Sequence, residues 1–304
     1  MERSELMRNR SNRRWTLALT MFSALVLLLA ACGDSKDAKK STAPSKAPTF
    51  AAGSTMAKIQ KKGKVVVGIK FDQPLFGLRS ATSGNFEGFD VEVAKLIAQG
   101  IFGKDGADKI SFKETPSKIR EDSITGGDVD IVIATYTIND ERKKVVDFAG
   151  PYFQAGQRIM VKSDNSDVKG VKDLNGKKVC SVTGSTSIDN IKAEAPKADI
   201  SNPFDTYSKC AEELKNARVD AVTTDDSILY GLVSQNKGEL KVVGDSFTEE
   251  PYGIGLKKGD DAFRTFLNDR IGAIEKSGEW KKAYEDTVGK IRKTTPEPPK
   301  VDRY

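Results

Sequence analysis

The run Asp130-Ile131-Val132-Ile133-Ala134 constrains this chain more than any other stretch. It is apolar, of strand length, and bounded by Gly126-Gly127-Asp128. It passes directly into Thr135-Tyr136-Thr137-Ile138-Asn139-Asp140-Glu141-Arg142, which offers two hydroxyls and then a helical turn. Asn139 suits the cap of that turn, and Asp140 and Glu141 suit its positive end. Arg142 is the one cation among these acids. A guanidinium held there presents a planar fork that matches a carboxylate with two parallel bonds. The window by itself equally allows Arg142 to pair with Asp140, Glu141 or Asp147.

The same strand-then-helix grammar recurs along the chain. Lys64 to Lys70 reads as a strand, Asp72 to Arg79 as a loop, and Gly88 to Ala98 as the start of a helix. Asp90 suits its cap, and Ala94, Ile97, Ala98 and Ile101 share one face. Ile110 to Phe112 is a short strand and Ser117 to Ile124 a helix. A second series follows, with strands at Lys178 to Val182, Ala198 to Asn202, Val219 to Thr223 and Leu240 to Val243. Its helices are Ser187 to Ala195, Ser208 to Ala217 and Asp225 to Val233. Two amphipathic helices close the chain, one carrying Phe263, Phe266, Leu267, Ile271 and Ile274, the other running from Gly278 with Trp280 and Tyr284. Alternation of this kind predicts right-handed βαβ units and parallel sheets.

Phe148 to Phe153 and Glu250 to Gly255 flank the second series, and each mixes Pro, Gly and aromatics. Two short crossings around an inserted α/β unit describe a hinge between lobes; two loops in one larger sheet are the alternative. On the hinge reading, residues 56–153 and 250–292 form lobe 1 and residues 154–249 form lobe 2.

The amino end has its own logic. Met1 to Arg14 carries five arginines, Trp15 to Leu29 is nearly uncharged, and Leu29-Ala30-Ala31 leads to Cys32. This predicts a secretory signal over residues 1–31. The Cys at its exit resembles the lipobox of bacterial lipoproteins, which implies a diacylglycerol anchor on Cys32 at the outer face of the cell membrane. Residues 32–55 read as a flexible tether, and 293–304 as a disordered tail. Without the five arginines and two acids of the signal, the formal +6 falls to +3, with both signs interspersed. That balance does not suggest a nucleic-acid binder. The chain holds no histidine, so histidine triads and His-ligated metal sites are excluded. With Cys32 lipidated, Cys180 and Cys210 remain. Outside the cytoplasm such a pair reads as a disulfide, with two buried thiols as the alternative.

Gly88-Phe89-Asp90-Val91-Glu92-Val93 with its helix face to Ile101, Thr137 to Arg142 followed by Val146-Asp147-Phe148, Gly184-Ser185-Thr186, and Asp220 to Asp225 stand in an order that resembles a known family. The chain looks like a polar amino-acid-binding protein of a bacterial ABC importer over nearly all of residues 56–290. The resemblance implies a two-lobe α/β fold of the periplasmic-binding-protein type (type II), each lobe a mostly parallel sheet flanked by helices. It implies an extracytoplasmic monomer that closes on one amino acid and delivers it to a permease, with no cofactor, no metal and no catalysis.

The resemblance also assigns the site. Arg142 takes the ligand's carboxylate, with Thr137 and Thr135 beside it. Thr183, Gly184 and Thr186 contact the ligand from the other lobe, where a helix start offers N–H groups. Asp225 takes the ammonium, leaving Asp226 as the helix cap. Lys70 stands where relatives read the side chain, and a cation there calls for an acidic ligand and repels a basic one. Arg79 is a second candidate cation, with a solvated surface charge as the alternative, and Phe71 or Phe76 either packs on the ligand's methylenes or belongs to the core. The expected ligand is L-glutamate, then aspartate. The alternatives are a glutamine or asparagine binder, or a cyclohexadienyl-dehydratase-like enzyme on the same scaffold.

Overall fold

The structure is a computed structural model that describes residues 41–201 and 203–304; the signal segment and Cys32 lie outside the described residues. Lobe 1 is built on five strands in the order Ile110–Glu114, Val65–Ile69, Ile131–Val132, Glu250–Lys257, Val146–Ala155. The Val-rich strand Val65–Ile69 runs parallel to both neighbours, with Val67 opposite Phe112 and Ile131. Its side chains are nearly all buried, as a central strand covered on both faces requires. Lobe 2 carries four strands in the order Leu240–Val243, Gln157–Lys162, Ala221–Asp225, Val179–Cys180.

Both sheets are mixed. Glu250–Lys257 runs antiparallel to Ile131–Val132 and to Val146–Ala155, and Gln157–Lys162 runs antiparallel to both its neighbours. The reason lies in the crossings. The two Pro- and Gly-bearing segments are long paired strands rather than loops, and one of them passes through Gly156 straight into lobe 2. Pro151 is tolerated because Val146–Ala155 is an edge strand, where a missing N–H leaves no ladder bond broken.

Each lobe has its own core. Phe89, at the start of the helix Phe89–Phe102, packs edge-on against Trp280 and Tyr284 of the carboxyl-terminal helices. Phe76 lies in the same core, edge-on to Phe153 and Tyr252. In lobe 2, Cys180 of the edge strand is disulfide-bonded to Cys210 of the helix Tyr207–Lys215, across a sequence separation of 30. Of the stretch 198–202, expected as a strand, the described residues 198–201 keep one isolated bridge, Asp199 with Lys178.

Two segments read as unstructured are packed on lobe 1. Thr42 and Ser41 bond to the Glu279 carboxylate, the Thr42 carbonyl accepts from Arg270 at 3.0 Å, and Phe50 meets Phe266 edge-on with centroids 5.4 Å apart. At the other end, Asp302 N–H donates to the Gly150 carbonyl at 2.8 Å and the Tyr304 hydroxyl accepts from Phe148 N–H at 2.9 Å. Composition hid this because the leading segment docks through one ring and two helix side chains, Glu279 and Arg270, and the tail through one ring and backbone groups left open on an edge strand. Among the described residues no helix is long and apolar enough to cross a membrane.

Candidate functional site

Polar groups from both lobes converge on a small cavity of about 10 Å3, the room of a single water. Lobe 1 contributes Ser117, Arg120, Thr135, Thr137 and Arg142. Lobe 2 contributes Ser185, Thr186 and Ser187 from one helix start, with Tyr207, Thr224 and Asp225. This is the shut state of the cleft.

The turn after Ala134 sets the lobe 1 side. Asn139 caps it as expected, its side-chain oxygen accepting from Arg142 N–H at 2.9 Å. Arg142 is therefore held by the backbone and turned inward. Its guanidinium donates to the Thr137 carbonyl at 2.7 Å and, across the cleft, to the Gly184 carbonyl at 3.1 Å. It lies 3.4 Å from Glu121 and over the Tyr136 ring, and not against Asp140, Glu141 or Asp147. Burial, then the neighbouring Arg120, lowers its pKa to about 10.

Thr135 is buried with φ at +45°, a conformation rare for a β-branched residue. Asp90 helps to hold it. Instead of capping its helix, the buried Asp90 carboxylate accepts from Thr135 N–H at 2.9 Å and from the Tyr152 hydroxyl at 2.8 Å. The Thr135 hydroxyl donates to Gln73. Such strain persists where surrounding bonds over-determine it, which is common at binding sites.

Lys70 is buried at the end of its strand, its ammonium donating to the Ser117 hydroxyl at 2.8 Å. Desolvation, then Arg120, lowers its pKa to about 7. Arg120 was missed in the sequence, where it sat in an ordinary helical pattern. It is buried, donates one amino group to the carbonyls of Ala134 and Thr135, and leaves its Nε without a partner among the described residues. Neither Lys70 nor Arg120 has a carboxylate within ion-pairing distance among the described residues.

On the lobe 2 side, Asp225 ends its strand and stands at the start of the helix Asp226–Gln235 without capping it. Tyr252 donates to its Oδ2 at 2.6 Å, while Oδ1 is buried and bare among the described residues. Burial, then the nearby Glu250 carboxylate, raises its pKa to about 8. Asp226 does not cap either; it pairs with Arg292 at 3.1 Å. Glu250, also missed, is buried on the second crossing strand. Its carboxylate accepts from Thr137 at 2.7 Å and from Thr186 and Asn190 at 2.9 Å.

Several expected residues do not line this cavity, Lys70 among them: it reaches the lining only through Ser117. Arg79 is exposed and stacks over the rings of Phe71 and Phe86, because its short strand pairs away from the cleft. Thr183 does not line the cavity; its N–H is spent on the Phe204 carbonyl. Phe71 packs on Phe86 and Phe76 in the core, so neither faces the cavity. Gly184 contributes by closeness. With φ at +77°, a Cβ there would stand 2.7 Å from the Lys118 backbone of lobe 1.

The arrangement offers buried donors at one end of the cavity and an unfilled carboxylate oxygen at the other. The model of the bacterial extracellular solute-binding proteins, family 3, matches residues 65–290. The chain belongs to that family. Over 275 residues the solute-binding protein is 42% identical to the ABC transporter glutamine-binding protein GlnH of Bacillus subtilis, covering 90% of this chain and 96% of that one. It is 35% identical over 288 residues to the glutamate-binding protein GluB of Corynebacterium efficiens, covering 91% and 92%. Among solved structures, an ancestral arginine-binding protein bound to glutamine is 39% identical with a TM-score of 0.69, covering 75% of this chain and 98% of that one. Family membership makes the chain a binder of solute rather than an enzyme.

Proposed function

We propose that the chain, an extracytoplasmic amino-acid-binding subunit of an ABC importer, takes L-glutamate, with L-aspartate second. Arg142, Thr137 and the helix start at Thr186 receive the ligand's α-carboxylate, and Asp225 Oδ1 receives its ammonium. Lys70 and Arg120 receive the side-chain carboxylate. The observation that carries the reading is the pair of buried cations, Lys70 and Arg120, with no carboxylate paired to either among the described residues. Two such charges repel one another and a basic ligand, and an acidic ligand compensates both.

Glutamine is the second reading, favoured by the likeness to GlnH. Its amide oxygen can accept from Lys70 but brings no charge to offset Arg120. Calorimetry with glutamate, aspartate, glutamine, asparagine and arginine tests the order. Glutamate should bind at least tenfold more tightly than glutamine, and Lys70→Asp should abolish glutamate binding. A wild-type preference for glutamine, or unchanged glutamate affinity in Lys70→Asp, overturns the assignment.

One chain supplies every group named, so a monomer suffices. We further infer that Cys32 carries a lipid that holds the protein at the outer face of the membrane. Cys32→Ser should release it to the medium; retention would refute the anchor.

A further inference from the structure

Glu250 belongs to neither lobe's binding surface as read from the sequence, yet it touches both. It sits where the second crossing strand leaves lobe 2, paired with Ala155 of the first crossing. Oε2 accepts from the hydroxyls of Thr137 and Thr186, which come from opposite lobes and both line the cavity. Oε1 accepts from the Asn190 amide and from Thr248 at 3.0 Å. All four partners donate, so an ionised carboxylate is the group that satisfies them together. Asn190 also donates to Gln157 at 2.9 Å, which ties the cluster to the strand leaving the first crossing.

We propose that Glu250 is a positioning residue for ligand capture: it fastens Thr137 of lobe 1 to Thr186 of lobe 2 at the hinge, and so favours the closed form. The inference rests on the two-lobe binding reading but not on which amino acid is bound. A group that holds the two threonines only when the lobes meet adds its bonds to the closed state alone. Charge-assisted bonds are the strong ones, and any loss of closed-state stability lowers apparent affinity by the same factor. The charge of Glu250 also raises the pKa of Asp225, so the latch acts electrostatically on the group proposed to meet the ligand's ammonium.

The test uses the folded protein with one exposed label per lobe, and reads inter-lobe distance without ligand, then affinity with glutamate and glutamine. Glu250→Gln keeps the shape but replaces one acceptor oxygen with a donor. It should shift the ligand-free distances toward the open form and weaken both amino acids several-fold by the same factor, with a faster off-rate. Glu250→Ala should weaken them by about tenfold or more, the loss of roughly one or two such bonds. In wild type, Thr137→Val and Thr186→Val should be non-additive; in the Glu250→Gln background they should become additive. Wild-type distances and affinity in Glu250→Gln overturn the proposal, whatever Glu250→Ala does, and so does additivity of the two threonines in wild type. If glutamate fails to bind while the ligand-free distances shift, the ligand assignment fails and the latch stands.

Discussion

Tyr252 holds Asp225 by one oxygen only. The phenol donates to Oδ2 at 2.6 Å, and Oδ1 is left buried with no partner among the described residues. The bond fixes the carboxylate's rotation on a residue that lines the cavity, and leaves its second oxygen free. Asp225→Asn should therefore reduce amino-acid affinity by about a hundredfold or more, since a buried charge-assisted bond is exchanged for a neutral one and an amide group faces the ligand's ammonium. Tyr252→Phe should reduce it less. Calorimetry on both checks this; equal effects, or none in Asp225→Asn, would count against a role for the free oxygen.

Proton counting separates glutamate from glutamine. In the closed form Asp225 is raised to about 8 and Lys70 lowered to about 7. An ammonium beside Asp225 favours its ionised form, so binding of either amino acid near pH 7.5 releases a proton. A carboxylate beside Lys70 favours its charged form, so glutamate binding also takes one up. Glutamine should then release up to about one proton more than glutamate, and Lys70→Met should erase the difference. Buffer-dependent binding enthalpies read this directly.

The same two groups give the ligand-free protein a pH profile. Asp225 is raised from 3.8, so the native state binds more protons than the unfolded one between about pH 4 and 8. By linkage its contribution falls as pH rises through that window. Lys70 is lowered from 10.5, so the native state binds fewer protons than the unfolded one between about pH 7 and 10.5. Its destabilisation is full below pH 7 and is relieved as pH rises. Lys70→Met should accordingly raise the melting temperature at pH 6, by an amount that shrinks toward pH 10. A constant offset across that range would exclude titration as the cause.

Gly231 and Pro74 mark where the lobes meet outside the cavity. A Cβ on Gly231 would stand 2.3 Å from the Pro74 carbonyl oxygen. Gly231→Ala should leave the ligand-free protein as stable or up to about 1 kcal/mol more stable, through helix propensity, while weakening ligand binding by about tenfold because closure stops short. Thermal melts and calorimetry together decide; wild-type affinity would mean that the contact yields.

Reduction should weaken lobe 2. The Cys180–Cys210 bond closes a loop of 30 residues, and opening such a loop costs about 3–4 kcal/mol in the chain-entropy account. Denaturant midpoints with and without reductant, against a Cys180→Ala, Cys210→Ala variant, measure it.

Much of this was legible because it is local or ordered. The alternation of strands and helices follows from apolar runs of the right length, and the capped turn Asn139 to Arg142 from residue chemistry at adjacent positions. The disulfide follows from parity of the cysteines. What escaped is what depends on partners far along the chain. Arg120 and Glu250 look like surface charges until the segment after Ile131–Val132 brings Ala134 and Thr137, 14 and 113 residues away, to them. Arg79 stood as a second candidate beside Lys70 because loop direction is not encoded in charge. The crossing segments read as breaks because Pro and Gly disrupt periodicity, although the edge strand Val146–Ala155 accommodates Pro151.

The residues leading into the first strand lie against lobe 1, with Thr42 bonded to Glu279 and Arg270 and Phe50 seated on Phe266. A pull on the amino end is therefore borne by that lobe's helices before it can reach the crossing strands. Tension along the leading segment is thus carried into lobe 1 rather than directly into lobe 2.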